Sequence, residues 1–212
     1  MPRVLLINGS PHGEGCIAAG FQEMLPVFAR YGIEAEVVHI GDRPIRGCMA
    51  CRGCVKLGKC VFDDDPVNAC AEKFREADGL IVGSPVYYAS PNATLLALMD
   101  RLFYSTPFSK HMKVGAAVVN CRRGGNSATF DVLNKYFTIS GMPVAPSTYW
   151  NAIHGFTPED VRRDREGLQT LRNLARNMSF MILAIADARA KYGLPEVERG
   201  CFTSFPDGKQ DA

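Results

Sequence analysis

The stretch Val4-Leu-Leu-Ile-Asn-Gly-Ser-Pro-His-Gly-Glu-Gly15 joins a short apolar run to a group of small and turn-forming residues. Residues 4–7 are apolar at every position, which is typical of a central parallel strand that helices cover on both faces. The glycines and the proline that follow disfavour both strand and helix, and from Cys16 onwards apolar residues recur at helical spacing. The stretch therefore predicts a buried strand, a glycine-rich turn and the start of a helix.

A turn of this kind is expected to bind an anion. It presents unpaired backbone N–H groups and the positive end of a helix dipole to one point. The turn has neither the G-x-G-x-x-G pattern of dinucleotide-binding proteins nor the lysine of a nucleoside triphosphate loop. A mononucleotide phosphate fits it better, and a plain turn without a ligand is the alternative.

The composition indicates a single α/β domain of ordinary charge. The 212 residues carry 24 basic and 22 acidic side chains, and the net charge of +2 gives no reason to expect a nucleic-acid or membrane surface. No apolar stretch has the length of a signal segment or a membrane span, so we expect a cytoplasmic protein. Eight cysteines are unusual there, and four of them are crowded together, which points to metal or redox chemistry.

Strand and helix patterns alternate along the rest of the chain. Further strands are expected at 35–40, 79–84, 114–119 and 144–147. Helices are expected at 16–31, 66–77, 92–104, 128–140 and 158–191, and residues 41–65 form a cysteine-rich loop after the second strand. This alternation implies a doubly wound, five-stranded parallel sheet in the order 2-1-3-4-5 with helices on both faces. A single domain should end at residue 194, and an irregular tail should follow at 195–212.

Three polar loops are expected at the carboxyl edge of this sheet, beginning at Gly9, Ser84 and Cys121. Ligands of such sheets bind outside that edge, where the strand order reverses. The first loop suits a phosphate, the second offers flat apolar groups for a planar ring, and the third offers cations and closely approaching backbone. Together they predict FMN, whose reduced form carries negative charge that an arginine would stabilise. The alternative is that the tyrosines are core residues and the arginines belong to a solvated turn.

Four cysteines lie within 13 residues, with the spacing Cys48-x2-Cys51-x2-Cys54-x5-Cys60. Paired CxxC steps of this density are typical of [4Fe–4S] ligation. A tetrahedral zinc site is one alternative, although structural zinc sites more often separate two CxxC pairs. Free thiols, with or without a redox-active pair, are the other.

Several of these motifs resemble those of one known group of proteins. They are LLINGSP at 5–11, GCMACRGC at 47–54 with GKC at 58–60, GSPVYY at 83–88, MDRLFY at 99–104 and RRGG at 122–125. The chain resembles the NAD(P)H-dependent FMN reductase and iron–sulfur flavoprotein group of the flavodoxin-like superfamily over about residues 2 to 190. The resemblance implies a flavodoxin-like fold, FMN held by the three loops, NAD(P)H as electron donor and a [4Fe–4S] cluster on the four cysteines.

The resemblance also assigns candidate ligands. The cofactor-binding candidates are Ser10, His12, Gly13, Gly15, Cys16, Ile17, Ser84, Pro85, Val86, Tyr87, Tyr88, Arg122, Arg123, Gly124 and Gly125, and the metal-binding candidates are Cys48, Cys51, Cys54 and Cys60. The phosphate loop departs from the group's pattern, since His12 stands where arginine is common and Cys16-Ile17 replace a hydroxyl-bearing pair. We therefore expect fewer phosphate hydrogen bonds and weaker FMN affinity. Hydride transfer to the flavin needs no acid or base, so no catalytic side chain is expected.

Two functions are consistent with these features. The first is an FMN-dependent oxidoreductase that takes electrons from NAD(P)H and passes them to a small-molecule or protein acceptor, with the cluster as an intermediate carrier. The alternative is a flavin-binding electron carrier or redox sensor without turnover of its own.

Two features of the helices carry further expectations. The apolar stripe of the last predicted helix is wider than one side of a sheet needs, so we expect a homodimer or homotetramer, with a purely internal stripe as the alternative. Asp100 and Arg101 are adjacent in the chain and are expected to form an ion pair that anchors their helix.

Overall fold

The computed structural model of the chain describes residues 1–201 and 203, and its centre is a parallel sheet. The strands are β1 Arg3–Asn8, β2 Glu34–His39, β3 Gly79–Tyr87, β4 Ser90–Pro91, β5 Val114–Cys121 and β6 Ala152–His154. The order is β2-β1-β3-β5-β6, and β4 pairs antiparallel with the end of β3. The predicted doubly wound sheet of order 2-1-3-4-5 is confirmed in its five parallel strands.

Helices cover both faces of the sheet. They are α1 Cys16–Arg30, α2 Cys54–Leu57, α3 Val67–Glu76, α4 Ala93–Ser105, α5 Asn126–Ile139, α6 Pro158–Arg163 and α7 Arg165–Tyr192. Alternate residues of β1 enter opposite core clusters. Val4 and Leu6 pack with α1, α6 and α7, while Leu5 and Ile7 pack with α3, α4 and α5. A strand buried on both faces must be apolar throughout, which explains the run at residues 4–7.

The fifth parallel strand lies later in the chain than the sequence predicts. The predicted strand at 144–147 makes only one bridge, between Val144 and Gly115, and the pairing strand is β6. Pro143 and Pro146 flank this bridge and lack the N–H groups that a longer ladder would need. Residues 147–151 connect this segment to β6. The Asn151 side chain, just before β6, donates to the Ala117 carbonyl of β5 at 3.1 Å.

The predicted final helix is two helices. Helix α6 begins with a capping box between Thr157 and Asp160, and Asp164 ends it. The carboxylate of Asp164 accepts from the Gly167 N–H at 2.9 Å and so starts α7. The residue at which α6 ends thus caps α7 with its side chain.

Helix α7 uses its apolar stripe inside the chain. Leu168, Leu171, Leu174, Met178 and Ile182 are buried against α1 and the sheet. The stripe is therefore largely internal, and a homodimer or homotetramer stays a prediction.

The structure describes only part of the predicted C-terminal tail. Residues 202 and 204–212 lie outside the described residues, so the predicted irregular tail and the domain boundary at 194 stay predictions. Within the described part of the chain, no helix is long and apolar enough to cross a membrane.

Candidate functional site

An open crevice of about 960 Å³ lies at the carboxyl edge of the sheet. Several predicted site residues line it, namely Ser10, His12, Gly13, Gly15, Cys16, Pro85, Val86, Tyr87 and Arg122. They come from all three predicted loops. The crevice is large enough for a cofactor-sized ligand.

The first loop is a turn held by short-range hydrogen bonds. The buried side chain of Asn8 accepts from the Ser10 N–H at 3.0 Å, and its amide lies 3.4 Å from the Gly13 carbonyl. The Ser10 hydroxyl oxygen accepts from the His12 N–H at 3.2 Å. These bonds wrap the loop around the end of β1 and leave the His12 side chain exposed in the crevice.

Helix α1 begins at the crevice, and no side chain of the described residues caps it. The first N–H groups of a helix need partners, and an anion can supply them. Cys16 lines the crevice, whereas the Ile17 side chain is packed in the core, so only its backbone can face a ligand. Burial raises the pKa of the Cys16 thiol, which therefore stays neutral at physiological pH.

The second loop is a β-hairpin. Ser84 is buried, and its hydroxyl oxygen accepts from the Asn92 N–H at 2.9 Å, so it holds the hairpin to α4 and does not line the crevice. Pro85, Val86 and Tyr87 form the crevice wall. Tyr88, at the turn, has φ 50° and a fully exposed side chain away from the crevice lining.

The third loop contributes Cys121 and Arg122 to the crevice lining, and Asn120, at the end of β5, lies beside them. Arg123 and Gly124 are exposed outside the lining. Gly125 has φ 86°, and a Cβ there would lie 2.8 Å from the Ala89 Cα atom. Gly125 therefore lets the hairpin pack against the start of α5, which fixes the second and third loops to each other.

Sequence reasoning missed a fourth segment of the crevice. Phe156, Thr157 and Pro158 line it because they follow β6, whose carboxyl end lies at the same edge. Placing the fifth strand at 144–147 hid this signal. His39 was also missed, although it ends β2, and its Nε2 lies 2.7 Å from the Ser10 carbonyl oxygen.

All four predicted metal ligands, Cys48, Cys51, Cys54 and Cys60, line one second cavity. Cys48 and Cys51 are exposed, Cys54 is half-buried and Cys60 is buried. Ala50 and Arg52, which lie between the first three cysteines, have φ 52° and 59°. These left-handed residues curl the chain tightly, so that thiols three positions apart turn to one side. Four residues expected to be irregular, those of α2, form one helical turn here.

The four cysteines do not converge as the ligands of a single metal ion would. Among the described residues, no three His, Cys, Asp or Glu side chains could hold a single metal ion. A zinc ion needs four convergent ligands, whereas a [4Fe–4S] cluster takes one thiolate at each iron and so spaces its cysteines around itself. The spacing of the four cysteines is consistent with a cluster, which stays a prediction.

The expected pair of Asp100 and Arg101 does not form. The Arg101 guanidinium is 1 % exposed and pairs with the carboxylate of Asp65, while Asp100 accepts from the Tyr136 hydroxyl. Neighbouring residues of a helix point about 100° apart, so they cannot meet side by side. Burial opposes the charge of Arg101, but hydrogen bonds to Asp65 and Cys60 raise its pKa above its usual value.

Arg101 and Asn68 close the cysteine loop. Arg101 donates to the carbonyl oxygens of Arg46 and Phe62, at 3.2 and 3.3 Å, which joins the two ends of the loop. The Asn68 side chain accepts from the Cys60 N–H and donates to the Cys60 carbonyl, each at 3.0 Å. Cys60 is therefore the most firmly held of the four cysteines.

A doubly wound sheet with an uncapped helix start and a large open crevice at its switch point defines a flavodoxin-like protein. Comparison with known proteins agrees. A family model described as NADPH-dependent FMN reductase matches residues 2–157. The chain belongs to this family, and it is therefore a flavin-dependent oxidoreductase whose family implies FMN and NAD(P)H.

Individual relatives share most of their length with the chain. It is 36% identical over 194 residues to an iron–sulfur flavoprotein of Methanocaldococcus jannaschii. The aligned region covers 86% of this chain and 98% of the relative. An iron–sulfur flavoprotein of Methanosarcina thermophila is 34% identical over 193 residues, with 87% and 97% covered. Both relatives are iron–sulfur flavoproteins by name.

Solved structures share the fold at low sequence identity. RosB, with a bound 8-demethyl-8-formylriboflavin-5'-phosphate intermediate, has a TM-score of 0.73 at 16% identity, and each chain is covered fully. An NADH:FMN oxidoreductase has a TM-score of 0.58 at 17% identity, with 87% of this chain and 90% of the other covered. The flavodoxin-like fold is thus confirmed.

Proposed function

We propose that the protein is an FMN-dependent oxidoreductase that takes electrons from NAD(P)H and passes them to a small-molecule or protein acceptor by way of a [4Fe–4S] cluster. The observation that carries the proposal is the crevice, because it brings an uncapped helix start, an apolar wall and Arg122 to one edge of the sheet. The helix start suits the FMN phosphate, the apolar wall suits the planar ring, and Arg122 suits the negative charge of the reduced ring.

The first loop and the start of α1 would hold the FMN phosphate. The uncapped N–H groups after Gly15 and the Ser10 hydroxyl are the donors, and His12 stands at the open side. In its protonated form His12 would add a positive charge. Since Cys16 and Ile17 supply no hydroxyl group, the backbone carries most of this binding.

The hairpin and Arg122 would hold the ring. FMN, when bound, supplies hydride-accepting and one-electron chemistry. Pro85, Val86 and Tyr87 provide a wall that orients a planar ring and excludes water from one side. Arg122 would stabilise the negative charge of the reduced ring and so raise its reduction potential.

The four cysteines would hold the cluster. The cavity they line is otherwise largely apolar, with Met49, Val61, Phe62 and Tyr104 in its wall. Arg101 places a buried positive charge against Cys60, which offsets part of the charge of four thiolates. Two of the four cysteines, Cys48 and Cys51, are exposed, so the cluster would lie close to the surface, where electrons can pass to an acceptor.

The test is a visible spectrum of anaerobically purified protein with iron, sulfide and zinc analysis. Flavin bands with about four irons per chain are expected. Flavin without iron would remove the cluster from the proposal, and a colourless protein that does not take up added FMN would remove the flavin site.

Activity is tested by steady-state oxidation of NADPH and of NADH with a quinone acceptor, compared with free FMN. Arg122→Leu should lower the FMN reduction potential, whereas Arg30→Leu, at the far end of α1, should not. Turnover no faster than with free FMN would favour an electron carrier or a redox sensor.

A further inference from the structure

Helix α4 lines the cysteine cavity with three residues, of which Arg101 and Ser105 are buried. Arg101 and Ser105 are four positions apart, so they lie one above the other on one face of the helix. Both line the cavity together with Cys48, Cys51, Cys54 and Cys60. Neither belongs to the FMN crevice.

Arg101 directs a donor at sulfur. Its Nε atom donates to the Cys60 Sγ atom at 3.2 Å. The other guanidinium nitrogens are used by Asp65, Arg46 and Phe62, so the side chain is fixed in one orientation. The bonds made by the two terminal guanidinium nitrogens therefore hold the Nε–H group against the Cys60 sulfur.

Ser105 carries a donor without a partner. The residue is 5 % exposed, and its Oγ atom has no hydrogen-bond partner among the described residues. A buried hydroxyl left unpaired is unfavourable, so such groups nearly always have a partner. Besides Ser105, the cavity wall contains the four cysteines, Met49, Val61, Phe62, Tyr104 and two arginines. Arginine side chains only donate, so the four cysteine sulfurs are the main acceptors that the wall offers to Ser105.

We propose that Arg101 and Ser105 are hydrogen-bond donors to the sulfur atoms of the cluster and raise its reduction potential. This inference rests on the proposed cluster. Reduction adds one electron to the cluster, and N–H or O–H dipoles aimed at sulfur stabilise the more negative, reduced form. Both residues act on the potential and not on the binding of flavin or nucleotide.

The experiment is a redox titration of the cluster-loaded protein, monitored by electron paramagnetic resonance, with dithionite as the reductant. Ser105→Ala removes the hydroxyl donor, and Arg101→Lys removes the donor to Cys60 while keeping the positive charge near Asp65. Each variant is expected to titrate at a more negative cluster potential than the wild type. The FMN couple, followed in the same sample, should not move.

Two matched variants serve as controls. Ser179→Ala removes a buried helical serine of α7 that donates to the Ala175 carbonyl, and Arg172→Lys keeps the charge opposite Glu23. Both lie on the other face of the sheet, so neither should shift the cluster potential. A merely structural role of Arg101 or Ser105 would change the iron content but not the potential of the cluster that remains.

The outcomes separate this inference from the proposed function. A wild-type protein without iron and sulfide would overturn the proposed cluster and this inference with it. A loaded wild type whose Ser105→Ala and Arg101→Lys variants titrate like Ser179→Ala would overturn this inference alone. If Arg101→Lys does not retain the cluster, Ser105→Ala decides, since it leaves no buried charge unpaired.

Discussion

The Nε2 atom of His39 lies 2.7 Å from the carbonyl oxygen of Ser10, so the end of β2 holds the loop that follows β1. A carbonyl oxygen only accepts, and the Nε2 atom therefore carries the proton. The Nδ1 edge of the imidazole ring lies against Gly13, because a Cβ added to Gly13 would lie only 3.2 Å from Nδ1. His39 thus supports the proposed phosphate loop at both of its ends.

His39→Ala is expected to weaken FMN binding by about fivefold, which is the effect of losing one hydrogen bond of about 1 kcal/mol. His39→Gln should retain most of the affinity, since its amide nitrogen can reach the position of Nε2. The measurement is quenching of FMN fluorescence on titration into the flavin-free protein. Equal affinities of His39→Ala and the wild type would show that the Ser10 carbonyl needs no support.

Gly41 lies directly against the same carbonyl group. A Cβ at Gly41 would lie 1.8 Å from the Ser10 carbonyl oxygen, a distance that only displacement of the loop can relieve. Gly41→Ala should therefore raise the Kd for FMN about tenfold or more, equivalent to about 1.4 kcal/mol. Gly47→Ala is the control, because a Cβ there meets nothing within 4 Å. An equal rise of the Kd in both variants would show that the effect does not come from the contact between Gly41 and the Ser10 carbonyl.

The central strands and the three loops could be predicted because their signals are local. The run at residues 4–7 and the glycines after it fix β1 and its turn without knowledge of the rest of the chain. The fifth strand could not be placed in this way. Val144 and Ile153 both stand in short apolar segments, and only pairing with β5 decides between them. The error removed Phe156 and Thr157 from the predicted site.

The ion pair of Arg101 shows the same limit. Its partner, Asp65, lies 36 positions away and meets it only because α4 packs beside the end of the cysteine loop. Four cysteines at short spacing could be recognised in the sequence, but the buried charge beside them could not, because it is a tertiary contact.

Asp65→Asn should be strongly destabilising. Both side chains of the pair are buried, with 1% and 4% exposed, so removing the carboxylate charge leaves the Arg101 guanidinium uncompensated. The free energy of unfolding is expected to fall by about 3–5 kcal/mol. Urea denaturation followed by circular dichroism measures it, with Asp187→Asn on the exposed face of α7 as control. A change below about 0.5 kcal/mol, as for an ordinary surface substitution, would contradict a buried pair.

The start of α6 should make stability depend on pH. The Asp160 carboxylate accepts from the backbone N–H groups of Thr157 and Phe156, each at 3.0 Å, and these bonds hold the pKa of Asp160 below its usual value. Because the unfolded chain binds the proton more tightly, this contribution is complete above the unfolded pKa of about 3.9 and is lost as the pH falls through the folded pKa. Asp160→Asn lacks the titrating group. The difference in urea midpoint between wild type and Asp160→Asn should therefore be largest at pH 7 and shrink towards pH 3. A difference that stays constant over this range would show that the carboxylate stabilises the capping box by its shape and not by its charge.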